Sequence, residues 1–274
     1  SKFNQALAVK GASLTISFKN LASIGKGRAL LDEGKYAEAA AAVAGVPTTF
    51  QYLYIHSETS ARQNNGTWAL TVSVARFGEA DLEGGNGLPF QSEGNLKSKI
   101  GFDPRVADSL RGGSSRGFDG VTPQWVQTKY PARSSPSVIA DGVEARLIEA
   151  EAALKTCDAA GALTILNALR SNSALLALRG YAATSLAPLT VQATPTAQLD
   201  QLFKERAYWL FLTSHRLGDM RRLIRQYGRP AETVFPTGAY FKGGTYGKDV
   251  NSPVPQPEEN NPNYVASACK TTEA

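Results

Sequence analysis

Aromatic rings and side-chain amides gather in one stretch of this chain. Trp68, Phe90, Phe118, Trp125 and Tyr130 lie beside Asn64, Asn65, Gln124 and Gln127. Flat rings with planar amides nearby suit non-covalent recognition of sugars, because a CH-bearing sugar face stacks on a ring while its hydroxyls pair with polar groups. Trp125, flanked by Pro123 and Gln127, is the ring expected to be most exposed. Phe118, Phe90 and Tyr130, with Gln124 and Asn65, complete the candidate ligand-binding set. Each has a plain structural alternative. Trp68 begins the most apolar segment and is expected to be buried. Lys129-Tyr130 can serve to fix how the chain enters the following helix, and Trp125 can be ordinary packing.

Reactive groupings are sparse. His56 and His215 are the two histidines, and HExxH does not occur. Ser214 and His215 are adjacent, so on a helical turn they point apart and cannot form a nucleophile–base pair. Carboxylates are present, but nothing in the sequence sets two of them across a cleft as glycoside hydrolysis requires. No catalytic residue is expected. Asp81, Glu83, Asp103 and Asp119 fall in turn-rich segments and are candidate oxygen ligands for a structural calcium ion, without EF-hand spacing; no other cofactor is expected. Cys157 and Cys269 fit neither a CxxC motif nor a zinc knuckle. They either form a disulfide or remain two thiols.

The chain has 274 residues, 19% of them charged, and a formal net charge of +5. That charged fraction is below the usual ~25%, a profile suited to an extracellular protein with long ordered loops. Arg221, Arg222, Arg225 and Arg229 concentrate part of the positive charge. They read either as a solvated face paired with nearby acids or as a surface for an anionic partner. No nucleic-acid-binding motif accompanies them, so no nucleic-acid partner is expected. No apolar run reaches the ~18 residues of a membrane span, and the first residues lack the pattern of a signal peptide.

The elements that position these groups are helical. Leu21, Ile24 and Leu31 share a face, with Gly27 where a neighbouring helix comes close. Gly34-Lys35 breaks the helix, and Tyr36, Ala39, Ala40 and Val43 continue at i, i+3, i+4 and i+7. A second pair follows Pro136: Val143, Leu147, Ala150 and Leu154, then Ala162, Ile165, Leu166 and Leu169, with Asp158 as N-cap of the latter. In the third pair Leu199, Phe203, Ala207 and Leu210 precede Met220, Leu223, Ile224 and Tyr227. Trp209 belongs to the core there, Arg216 and Asp219 tie the break between the helices, and Gly228 with Pro230 ends the second. The pairs span about 18–45, 141–172 and 197–228. Residues 46–136 form a loop-rich ligand region in which 68–77 is expected to be extended, and 229–274 an extended tail. Helix pairs with one apolar face each are expected to stack, which gives a mainly α, TPR-like scaffold with long loop insertions and little β.

GRALLDEGKYAEAAAAV resembles a tetratricopeptide unit. In order after it come DPRV (103–106), Lys129-Tyr130 before EARLIEAEAAL, LNALR (166–170), FKERAYWLF (203–211), the Thr-x-His-Arg-Leu-Gly-Asp run and FPTGAYFKGG. That series resembles the SusD/RagB-like nutrient-uptake proteins, and in particular the C-terminal portion of one as a single domain over 1–274. The resemblance implies a non-catalytic subunit that binds oligosaccharide or peptide. It implies a place on the extracellular face of the outer membrane, a lipid anchor on a preceding N-terminal segment, and a SusC-like TonB-dependent transporter as partner. A different reading is a processed TPR-like scaffold, because a truncated solenoid exposes an apolar face through which it self-associates.

Overall fold

The computed structural model describes residues 2–8, 15–97, 101–111, 116–178, 185–266 and 270–274. Two compact units divide the chain: Ser1–Glu79 with Gln91–Thr213, and Ala80–Phe90 with Ser214–Ala274. The described residues are mainly helical. The helices are α1 (Lys2–Ala8), α2 (Ile16–Asp32), α3 (Tyr36–Val43), α4 (Gly66–Trp68), α5 (Phe90–Gly94), α6 (Gly142–Lys155), α7 (Ala159–Arg170), α8 (Ser173–Leu178), α9 (Pro195–Trp209) and α10 (Arg216–Tyr227). Two small antiparallel sheets join β1 (Gln51–Tyr54) to β4 (Ser137–Asp141) and β2 (Asp108–Leu110) to β3 (Trp125–Gln127).

Helix α2 packs along α3, α3 along α6, and α6 along α7. Ile24, Leu31, Ala39, Val43, Val46, Ala140, Ala145 and Ile148 fill the space between α2, α3, β4 and α6. Gly34 turns the chain from α2 into α3 with φ of 75°, a conformation that suits glycine. At the crossing itself, a Cβ on Gly27 would fall 2.5 Å from Cγ1 of Val43. The approach predicted at Gly27 is therefore real. Asp141 caps α6 by accepting from Glu144 N at 2.8 Å, and Asp158 caps α7 by accepting from Gly161 N at 2.8 Å. Glu144 receives both Nε and Nη2 of Arg28, each at 2.7 Å, which ties α2 to the start of α6.

Helix α9 carries the charged centre of this unit. It packs on α6, α7 and the short turn Pro104–Val106. Arg105 in that turn is 1% exposed and lies between Asp103 and Glu205. It donates to both oxygens of Glu205, at 2.6 and 3.0 Å, and to Asp103 Oδ2 at 2.6 Å. Arg170 at the end of α7 adds a bond to Glu205 at 2.6 Å. Burial alone would raise the Asp103 carboxyl, but the bond and charge of Arg105 hold it below its ordinary range. Trp209, expected in the core, is wholly buried.

The predicted third pair is divided between the units, with α9 in the first and α10 in the second. Within the second unit, Gly228 closes α10 in a left-handed conformation with φ of 64°. Arg222 and Asp219 pair at 2.7 Å and are both buried, so this part of the basic run serves the unit's interior. Asn86 donates to Phe235 O at 2.8 Å, and the Tyr246 hydroxyl donates to Glu83 at 2.9 Å.

Two stability changes follow. Gly27→Val forces a branched side chain into the α2–α3 contact and is expected to cost about 1–3 kcal/mol in urea unfolding. Arg105→Met leaves buried Asp103 without its cation and Glu205 with Arg170 alone, and is expected to cost about 3–5 kcal/mol, with Arg105→Lys recovering part, since an ammonium lacks the planar fork. Wild-type unfolding midpoints for either variant would count against these assignments.

Candidate functional site

The loop region is built around its amides. Asn65 is wholly buried; its Oδ1 accepts from Trp68 N at 2.9 Å and its Nδ2 donates to Ser135 O at 2.8 Å. That cap starts α4, so the expected extended segment 68–77 begins instead as a helical turn. The turn widens into a π turn over Ala69–Ser73, with Val74 N donating to Ala69 O at 2.9 Å. Local capping at Asn65 and the Thr71 hydroxyl bond to Thr67 O outweigh the β-branched character of the segment. Gln124 then donates to Phe77 O at 2.6 Å and Thr71 O at 3.3 Å. Gln127 donates to Thr71 Oγ1 at 3.1 Å and accepts from Tyr130 N at 2.6 Å.

Outside this frame stands an exposed apolar surface. Phe77 is 60% exposed and Phe118 65%, with Val74 and Val121 also exposed. Both rings are held through the backbone next to them. Ala75 adopts φ of 51°, unusual for a residue with a Cβ, and its carbonyl accepts from Phe118 N at 2.8 Å. Leu70 O receives Arg76 N at 2.8 Å and Phe77 N at 3.2 Å. The Arg76 guanidinium sits 3.8 Å above the centre of the Phe118 ring. Asp119 turns inward on its own loop, accepting from the backbone N–H groups of Val121 and Thr122 and from the Thr122 hydroxyl.

The sequence candidates separate accordingly. Phe118 and Trp125 belong to this loop cluster, Phe118 exposed and Trp125 half-buried on β3. Gln124, Asn65 and Tyr130 are buried behind it, the Tyr130 hydroxyl donating to Leu212 O at 3.1 Å. Lys129 donates to Phe211 O, so the dipeptide fixes the chain as its structural alternative has it. Phe90 is half-buried and belongs to the other unit. Cys157 is exposed, and Cys269 lies outside the described residues, as does any pairing of the two. Among the described residues, no group of three or more His, Cys, Asp or Glu side chains gathers as a metal site would need. Of the loop acids proposed for calcium, Asp103 is taken by Arg105, Glu83 by Tyr246 and Asp119 by its own turn.

Three residues that sequence reasoning passed over complete the picture. Arg76 and Phe77 were hidden within the apolar run read as extended. Glu79 is the third. Its carboxyl oxygens and those of Asp108 on β2 have almost no contact with solvent. Burial, then the Asp108 charge, then the hydrogen bond the two acids share, push the Glu79 carboxyl up to about 10. Glu79 is therefore protonated and neutral near pH 7, while its N–H bonds Trp125 O at 3.2 Å.

No family model matches the sequence, and no curated protein matches it. A crystal structure of a SusD-like protein from Bacteroides fragilis is similar to it, with a TM-score of 0.53 at 16% identity. The match covers 82% of this chain and 58% of that protein. The chain thus has a SusD-like, mainly α fold and spans little more than half the length of that relative. Among the described residues, no helix is long and apolar enough to cross a membrane.

The acid pair gives stability a pH slope. Burial beside Asp108 lets the folded chain keep the Glu79 proton to about pH 10, whereas the unfolded chain releases it near the ordinary value of 4.5. The native state binds more protons in that window, so stability is greatest below it and falls as pH rises through it. Urea midpoints of wild type are expected to decline from about pH 5 to about pH 9, and Glu79→Gln is expected to flatten the decline. An unchanged slope in the variant would remove Glu79 as its source.

Proposed function

We propose that the chain is a non-catalytic nutrient-binding subunit, its ligand an oligosaccharide or peptide held on the loop surface of the first unit. The observation that carries this reading is the pair of exposed rings, Phe77 and Phe118, each fixed by a backbone bond beside it. Rings that are ordered before the ligand arrives lose little entropy on binding, and stacking on them needs no covalent step. Trp125 lies in the same loop cluster and is the next ring a longer ligand meets in this reading. The SusD-like fold agrees with it.

By the same resemblance, the subunit is lipid-anchored at the extracellular face of a bacterial outer membrane. There it passes ligand to a SusC-like TonB-dependent transporter. Transfer asks for moderate affinity, which a few ring contacts supply.

A panel of glycans and peptides, screened with wild type, Phe77→Ala with Phe118→Ala, and Trp125→Ala, tests the surface. Loss of two stacking rings is expected to weaken the best ligand about tenfold, on the order of 0.5–1.5 kcal/mol per ring, with no turnover of ligand by wild type. Unchanged affinity in the double variant would discard the surface, and unchanged affinity in Trp125→Ala would discard that ring.

A further inference from the structure

We propose that Arg76, stacked on Phe118, is a carboxylate receptor, and that the platform takes an acidic oligosaccharide whose sugar rings carry carboxylates. This deepens the binding function proposed above and rests on it.

The argument starts from what the guanidinium lacks. Arg76 is exposed, and among the described residues no hydrogen bond or ion pair engages its side chain; it lies over the Phe118 ring at 3.8 Å. A guanidinium laid flat on a ring keeps its N–H edge directed outward, and that edge matches a carboxylate with two parallel bonds. Stacking also restrains a long side chain that would otherwise lose rotamer freedom on binding. The backbone beneath is fixed on both sides, by Arg76 N on Leu70 O and by Phe118 N on Ala75 O. Ala75 holds a left-handed φ of 51° between them. Strain of that kind persists where surrounding structure enforces it, and it collects at ligand clamps.

A second arginine lies near the pair in sequence. Arg116 is exposed on the Phe118 loop. Asp119 has its carboxylate turned into the bonds of its own turn. Glu79, three residues after Arg76, is kept neutral by its pairing with Asp108. Donors of its own turn thus offset part of the Asp119 charge, Glu79 adds none, and two arginines attract an anion.

Gln124 and Gln127 are spent on backbone groups and the Thr71 hydroxyl, so neither reads a ligand. What faces outward is apolar ring surface and a guanidinium edge. A uronic acid residue offers both complements, a CH-rich face and a carboxylate, on one six-membered ring.

Titration calorimetry on the full chain with oligogalacturonate, its fully methyl-esterified form and a peptide with a free C-terminus tests this. Wild type is expected to bind the acid form at least about tenfold tighter than the ester, with the difference shrinking as salt rises. Arg76→Gln is expected to erase that difference, and Arg76→Lys to restore part of it, because a point charge cannot form the fork. Wild-type thermal unfolding of both variants would show that they fold. Equal binding of acid and ester by wild type, or an acid preference that survives in Arg76→Gln, would overturn the receptor. If Phe118→Ala still weakened the ester in that case, the platform would stand without it. Absence of uronate binding, or a preference for the peptide, would overturn the sugar-acid ligand.

Discussion

Taking a guanidinium out of water costs several kcal/mol, and the first unit meets that cost at Arg105 with two carboxylates and two aromatic rings. Asp103 and Glu205 take its donors, and the rings of Tyr208 and Trp209 lie 5.4 and 5.0 Å from its centre. Glu205 also receives Arg170, so one carboxylate ties the DPR turn, α7 and α9. One step along α9, Arg206 faces Glu151 of α6 at 3.7 Å. Positive and negative groups alternate through the interior, which lets the helices settle in one register. An apolar core of equal volume would give comparable stability with less demand on geometry. Here the loop that continues from the DPR turn into β2 inherits its position from that register.

The helix pairs were legible because their signals are local. Apolar residues at i, i+3, i+4 and i+7, a Gly at a break and an Asp before a helix act within one or two turns, and they placed α2, α3, α6, α7, α9 and α10 to within a few residues. Gly27 was legible for the same reason: a glycine in an apolar stripe marks a close crossing. Arg105 was not. Its partners are 2 and 100 residues away, and nothing near DPRV announces that Glu205 will meet it.

The proposed binding surface was half legible for a related reason. Counting rings and amides pointed to the loops that carry the exposed rings, but sequence does not say which groups face out. Gln124 and Asn65 looked like ligand contacts because amides serve that role when exposed. In this chain they satisfy backbone groups that the irregular loops leave unpaired, a demand that long loops create by themselves. The outward residues are the neighbours of those amides' partners. Gln124 holds Phe77 O, and the Phe77 ring is thereby left at the surface.

The π turn over Ala69–Ser73 has a consequence for how such a surface changes over evolutionary time. A π turn holds one residue more than the α-helical turn it replaces. Deleting one of its residues would close the same turn with ordinary α winding, and the chain would still leave it in the same direction. Arg76 and Phe77 would keep their place relative to Leu70. The turn would accordingly absorb the loss of one residue between Asn65 and Arg76, a tolerance that a regular α-helical turn lacks.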